Sequence, residues 1–345
     1  MDTLDVLVIG AGQAGLAAGF HLKQTGLRYA ILDAAKAPGG SWRNYYDSLV
    51  LFSPARYSSL EGMPFGGDPD HYPARDEVVA YLQNYASKFD LPVIADARVI
   101  EVTREEGMFR VTASSGGTLH ARSVIAATGS FGNPYIPDLS GQSEYRGRIL
   151  HAFDYRNATP FEEQRIVVVG GANSAVQIGV ELARVARVTL ALRSRIFLVP
   201  QHILGKDGHF WLRVTGLDKT RFLSDQSTPV VDAGHYRRTI KAGRPDTRRM
   251  FTRLTERGVI WRDGTKENVD TIILATGYRP SLQYLSGLAA LDSRGLPRQR
   301  NGVSTSVPGL YYVGLSGQRN FASATLRGVS SDAGVVVNHL LRETT

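Results

Sequence analysis

Hydrophobic and polar positions fall along this chain in two copies of one arrangement. Residues 5–9 form a short apolar run, Gly10-Ala11-Gly12-Gln13-Ala14-Gly15 follows, and apolar positions then recur at helical spacing to about residue 25, where Gly26 suits a helix C-terminus. Residues 28–32 make a second apolar run that ends on Asp33. The pattern predicts strand, helix, strand. It returns with residues 165–169, then Gly170-Gly171-Ala172-Asn173-Ser174-Ala175, a helical stretch to about residue 186 and a strand over 187–192. The spacing repeats too: Gly10 to Asp33 is 23 residues, and Gly170 to Arg193 is 23.

Between and after the two copies the pattern changes. Residues 41–73 carry Trp42, Phe52, Tyr57, Phe65 and Tyr72 among glycines and prolines, which reads as a loop whose rings serve as satellite core or line a bound ring system. Helical spacing returns over 76–89, and residues 97–103, 108–113 and 118–121 alternate as an antiparallel meander. Two apolar strands, 123–127 and 271–275, each run into Ala-Thr-Gly, at Thr128-Gly129 and Thr276-Gly277. A strand over 309–314, a loop over 315–321 and a helix over 322–338 complete the pattern. Residues 203–247 show the least regular pattern, and His202 and His209, flanking Gly205-Lys206-Asp207-Gly208, read as part of a surface excursion. The fold class expected is α/β with two dinucleotide-binding, Rossmann-like domains, the first formed by residues 1–157 and 275–345 and the second inserted at 158–274.

Composition narrows the chemistry. Among 345 residues there is no cysteine, which excludes disulfides, thiol nucleophiles, a redox-active dithiol, Cys-ligated zinc and iron–sulfur clusters. Redox chemistry must then reside on a cofactor. The net charge of +8 is concentrated between Arg193 and Arg262, where fifteen Lys and Arg, Arg221 among them, face six acids. That segment reads as a solvated surface or as attraction for an anionic cofactor or substrate, not as a nucleic-acid module. No apolar run approaches the ~20 residues of a membrane span, and the first residues lack a basic leader, so a cytoplasmic protein is expected. Asp68, Asp70 and His71 read as ordinary loop chemistry, and no metal is expected.

The glycine pattern carries specific chemistry. In G-x-G-x-x-G, Gly10 makes the turn, Gly12 lets backbone approach a pyrophosphate and Gly15 permits close helix–strand packing, while the helix N-terminus presents N–H groups to phosphate. An acid such as Asp33 at the end of the second strand accepts from a ribose 2′-OH, whereas Arg193 at the matching place favours a 2′-phosphate. The first copy therefore suits an unphosphorylated adenosine dinucleotide and the second NADPH. Ala172 replaces the middle glycine of the second loop, which weakens or shifts the pose of the nucleotide and leaves NADH open.

These motifs together resemble the flavin-containing monooxygenases and the related Baeyer–Villiger monooxygenases, over nearly the whole chain. The most specific element is Tyr145-Arg146-Gly147-Arg148-Ile149-Leu150-His151-Ala152-Phe153-Asp154-Tyr155, similar to the family signature F-x-G-x-x-x-H-x-x-x-[FY]. Gly39-Gly40-Ser41-Trp42, Tyr72-Pro73-Ala74-Arg75 and Ala275-Thr276-Gly277-Tyr278-Arg279-Pro280 are further matches. The resemblance implies a glutathione-reductase-like architecture. FAD would lie on Gly10, Gly12, Gln13, Ala14, Gly15, Asp33, Gly40, Ser41, Trp42, Val99, Thr128, Gly129 and Gln318. NADPH would lie on Gly170, Asn173, Ser174, Arg193, Ser194 and Arg195. Phe52-Ser53-Pro54 stands where larger members place an Asn facing the flavin, which makes Phe52 the flavin-facing candidate. His151 reads as an architectural hydrogen-bonding residue. The activity implied is monooxygenation: NADPH reduces FAD, O2 is captured as a C4a-peroxyflavin, and a small sulfide, amine or ketone takes one oxygen. The alternatives are an NAD(P)H:acceptor reductase or oxidase and a non-enzymatic flavin-sensing accessory, and a homodimer is compatible with either.

Overall fold

The computed structural model describes residues 3–220, 229–232 and 234–344, so Arg221 of the basic segment lies outside the described residues. Two parallel sheets organise the chain. In the first, β1 (Leu4–Ile9) pairs in parallel with β2 (Tyr29–Leu32) on one side, and α1 (Gln13–Lys23) crosses between them. A helix over Arg75–Lys88, α2, precedes β3 (Val93–Ile94), which adds to the β2 edge. On the other side of β1 lies β6 (Thr118–Ala126), followed by Leu310–Tyr312, both in parallel register. The sheet is apolar on both faces. Val6 and Val8 point into the core shared with α1, α2 and the C-terminal helix, while Leu7 and Ile9 point into the core beneath the meander.

The meander is present, as β4 (Val99–Glu105), β5 (Met108–Ala113) and β6, all antiparallel. One difference concerns the third strand. The runs expected separately at 118–121 and 123–127 are one strand of nine residues. Its first half pairs with β5 and its second half with β1, because nothing between Ala121 and Ser123 interrupts the extended backbone.

The second sheet repeats the first. Strand β8 (Arg165–Val169) is flanked in parallel by β9 (Arg187–Leu192) and by Thr271–Leu274, with α3 (Asn173–Leu182) crossing, and Asp246–Arg249 extends the β9 edge. Even the meander has a counterpart, the three short antiparallel strands Arg253–Thr255, Gly258–Ile260 and Lys266–Asn268. The far edge is formed by residues that precede the boundary expected at 157/158. β7 (Arg148–His151) pairs in parallel with Thr271–Leu274 and so belongs to the second sheet by hydrogen bonding, ahead of the second glycine loop in sequence. The C-terminal helix is also shifted, to Leu326–Thr344. Residues 322–325 instead form a tight turn, in which the Asn320 side chain accepts from the N–H groups of Ala322 and Ser323 and Ala324 takes a positive φ of 65°. Among the described residues no helix is long and apolar enough to cross a membrane.

Two chain crossings join the sheets, and both begin at Ala-Thr-Gly. Residues 129–135 and 277–281 run antiparallel, with Ser281 N–H donating to Gly129 O and Tyr135 N–H to Gly277 O, each at 2.9 Å. The threonines cross over them. Thr128 Oγ1 donates to Ser281 O at 2.7 Å and Thr276 Oγ1 to Tyr135 O at 2.5 Å.

The signature segment supports this junction. The Tyr145 hydroxyl donates to Val269 O at 2.8 Å, and its ring closes over Gly147, where an added Cβ would lie 2.2 Å from the hydroxyl and 2.7 Å from Asp270 O. Because Asp270 O is backbone, it cannot swing away. Gly147→Ala is therefore expected to destabilise the protein by about 3 kcal/mol, measured as a lowered midpoint in denaturant. A midpoint within error of the unchanged protein would show that the segment shifts freely.

Candidate nucleotide-binding sites

The two glycine loops are built alike from their strands upward. Gly10 has φ 106° and Gly170 φ 141°, and a Cβ on either would lie 2.8 Å from Ala127 O and 2.4 Å from Ala275 O respectively. Each fingerprint glycine is thus pressed against the carbonyl of its own Ala-Thr-Gly, which explains why the two motifs occur together. The helix starts are superimposable in backbone: Gly12 has φ −78° and ψ −173°, Ala172 φ −94° and ψ −173°. The Ala172 methyl is exposed and extended backbone accepts it, so the loop keeps its shape despite the departure from glycine.

The third glycine position differs between the copies. A Cβ on Gly15 would sit 1.7 Å from Gly10 O, an impossible contact, whereas the second loop accommodates a real methyl at the buried Ala175. The first turn is consequently the tighter one.

Around the first loop the other expected residues converge. Asp33 is buried, with Oδ2 accepting from Ala11 N–H at 2.5 Å and Oδ1 from Ala35 N–H at 2.8 Å, which fixes the carboxylate at the strand end with lone pairs left for a ribose. Gly39 N–H donates to Ala11 O, and a Cβ on Gly40 would lie 2.7 Å from Gly12 Cα, so the Gly40-Ser41-Trp42 turn rests on the glycine loop itself. Gln13 links three segments: its carbonyl accepts from Trp42 Nε1 at 3.0 Å, and its amide donates to Ala324 O at 2.6 Å. Ala14 touches the place where Gly314 lacks a side chain. Val99 is brought to the same end by Ala97 N–H, which donates to Asp33 O. Thr128 and Gly129 follow β6 beside β1. Gln318 differs from expectation in one respect. Its side chain is buried and spent on backbone, donating to Tyr312 O and accepting from Leu315 N–H, so the amide is not free to meet a ligand.

At the second loop Arg193, Ser194 and Arg195 are exposed just beyond β9, and Arg249 holds the turn by donating to Arg193 O at 3.0 Å. Ser174 stands in the first turn of α3. Asn173 is partly committed, donating to Pro229 O and accepting from Val231 N–H at 3.3 Å each. Both loops retain unpaired N–H groups at a helix start with no acid in the first turn, the polarity that a pyrophosphate needs. His151 does sit at the junction. Its Nδ1 accepts from Phe153 N–H at 3.0 Å and its Nε2 faces Gly277 O at 3.2 Å, so the ring is a buried Nε2–H tautomer pinning the second crossing. Tyr155 is fully buried between Tyr46 and Phe161.

The excursion holds residues that sequence reasoning missed. His209, expected on a surface, is 7% exposed. Asp207 caps the helix Gly208–Thr215, accepting from His209 N–H at 2.7 Å and from its Nδ1 at 2.8 Å, while the Tyr72 hydroxyl donates to the other oxygen at 2.6 Å. Burial would raise the Asp207 carboxyl, but hydrogen bonds from His209 and Tyr72 hold it below the usual range. Further along, Arg327 at the start of the C-terminal helix pairs with buried Asp218 at 3.3 Å, and Asp218 O accepts from Ala322 N–H. An Asp two residues before a His at a helix start was the available signal. Asp70, by contrast, is taken by Arg56 at 2.6 Å.

Known proteins carry the same plan. Residues 7–314 match the pyridine nucleotide-disulphide oxidoreductase family. An uncharacterized CzcO-like oxidoreductase of Geobacillus kaustophilus is 37% identical, over 98% of both chains. The indole-3-pyruvate monooxygenase YUCCA1 of Oryza sativa is 30% identical, over 95% of this chain and 89% of that one. The solved flavin-containing monooxygenase of Stenotrophomonas maltophilia superposes over 100% of both chains with TM-score 0.88 and 34% identity.

Two outcomes test this geometry. Gly15→Ala should abolish FAD retention, read as loss of flavin absorbance after gel filtration, while Gly12→Ala, whose methyl would meet Gly40 Cα at an ordinary 3.5 Å, should keep the fold. Equal retention by Gly15→Ala and the parent would mean the turn can open. Burial lowers the His151 imidazole, outweighing the Gly277 carbonyl and Asp154. The unfolded chain then binds the proton first, so stability should fall as pH drops through the ordinary histidine value of about 6.5 towards the lower folded value. Thermal midpoints between about pH 8 and pH 5 should decline less steeply for His151→Gln than for the parent; parallel curves would remove His151 from the account.

Proposed function

The chain belongs to the pyridine nucleotide-disulphide oxidoreductase family, in its flavin-monooxygenase branch, and from that premise we propose that it binds FAD on the first glycine loop and NADPH on the second and oxygenates small soft nucleophiles such as sulfides and amines. It is a FAD- and NADPH-dependent flavoprotein oxidoreductase. The disulphide chemistry in the family's name is closed to it, since it has no cysteine. The observation that carries the reading is the asymmetry of the duplication: a buried, fixed Asp33 at one strand end and an exposed Arg193 at the equivalent place.

In this reading Asp33 holds the ribose of FAD. The backbone of Gly10, Gly12, Gln13, Ala14 and Gly15 holds its pyrophosphate, and the Gly40-Ser41-Trp42 turn, Val99, Thr128, Gly129 and the main chain of Gln318 flank it. Gly170, Asn173 and Ser174 receive the pyrophosphate of NADPH, and Arg193, with Ser194 and Arg195, its 2′-phosphate. The domains divide accordingly, FAD with the first sheet and NADPH with the second. FAD, when bound, supplies the electron and oxygen chemistry. The protein's task is to orient the nicotinamide, exclude water and line the flavin, with Phe52 as the ring facing it.

Rapid mixing tests the reading. Protein reduced anaerobically by NADPH and then mixed with oxygen and a sulfide should show a transient absorbance distinct from oxidised and reduced flavin, and should release sulfoxide. Direct return to oxidised flavin without product would make it a reductase or oxidase, and failure of NADPH to reduce the flavin would point to a sensor. Arg193→Asp should raise the KM for NADPH by about tenfold or more, the worth of a charge-assisted contact, with little change for NADH; equal effects on both would sink the assignment of Arg193.

A further inference from the structure

The Asp207–His209 pair belongs by sequence to the second sheet's excursion, yet it is packed into the first sheet's aromatic loop. Phe52 and Tyr57, both from that loop, lie nearly parallel to the imidazole, with ring centroids at 6.0 Å and 6.2 Å and interplanar angles of 21° and 26°. Phe52 is 39% exposed on irregular backbone, and among the described residues its ring contact is with His209. His209 itself cannot turn, because Asp207 holds both its backbone N–H and its Nδ1, and Tyr72 holds Asp207 in turn.

We propose that His209, locked by Asp207, is a positioning residue for Phe52: the excursion of the second unit fixes the plane of the ring with which the first unit lines the flavin. The inference rests on Phe52 facing the flavin. A histidine suits the task because it offers a flat face to Phe52 and, at its edge, a donor that a carboxylate can hold. A leucine could fill the same space but would not set a plane. The arrangement spans the two units, so Phe52 is correctly backed only when the excursion is seated on the loop over residues 52–72. The buried Arg327–Asp218 pair anchors the other end of that excursion to the C-terminal helix.

The test uses the FAD-loaded full-length protein and two readouts, the absorbance band of bound flavin and the hydrogen peroxide formed per NADPH consumed in the presence of a sulfide. His209→Ala should shift the flavin band and raise the peroxide fraction by about threefold or more, the equivalent of losing one aromatic pair. Phe52→Ala should do the same, and the double variant should be no worse than either. His209→Phe, which restores a ring that Asp207 cannot hold, should recover part of the parent behaviour, whereas His209→Gln, which keeps polarity without a ring, should recover none. Unchanged readouts in His209→Ala, rescue by Gln and not by Phe, or additive effects in the double variant would each overturn the proposal. If His209→Ala does not fold, the comparison of Phe with Gln decides alone. If the parent yields only peroxide, the monooxygenase reading falls while the flavin band still decides on His209, and a band unmoved by Phe52→Ala would refute the placement of Phe52 and the proposal with it.

Discussion

The structure depends on one backbone contact made twice: the first glycine of each nucleotide loop against the carbonyl of an alanine that closes a distant strand. A side chain at Gly10 or Gly170 would drive that carbonyl away, at 2.8 Å and 2.4 Å from the would-be Cβ. With the glycine in place, the loop, the strand end and the following Thr-Gly turn lie within one layer of backbone. Each threonine can then reach across to the opposite crossing. The nucleotide loops and the junction between the sheets are consequently one construction.

Much of this was legible in the sequence because it is local. Glycine spacing, the strand ending in Asp33 and the matching Arg193 are properties of about 25 consecutive residues, and the unbroken apolar runs of β1 and β8 mark strands buried on both faces. What was not legible is what depends on distant partners. β7 reads as an ordinary short apolar run, and only its register with Thr271–Leu274 puts it in the second sheet. His209 stands among lysines and arginines, and its burial comes from Tyr57, Phe52 and Tyr72, more than 130 residues earlier. Helix propensity could place the last helix near residue 322 but not register Asn320 capturing two N–H groups into a separate turn.

The basic segment shows the same division. Part of its charge is paired: Arg248 meets Asp263 at 2.7 Å and lies over Trp261, and Arg253 meets Glu144 from a distant part of the chain. Arg193 and Arg195 stay exposed just beyond β9, at the strand end that matches the position of Asp33. Net charge alone left a solvated surface and attraction for an anion both open, and did not say where along the segment either would lie.

The unequal third positions of the two loops have a consequence for descent. Two halves that began alike are not equally free to vary: the turn at Gly15 admits no atom beyond hydrogen, while its counterpart already carries Ala175 and, beside it, Ala172. Mutation can therefore vary the third position of the second loop without unseating the fold, whereas the same change at Gly15 would be eliminated, and the first glycine stays fixed in both. A lineage built on this chain would be expected to hold its first turn constant and to diverge at the matching position of the second.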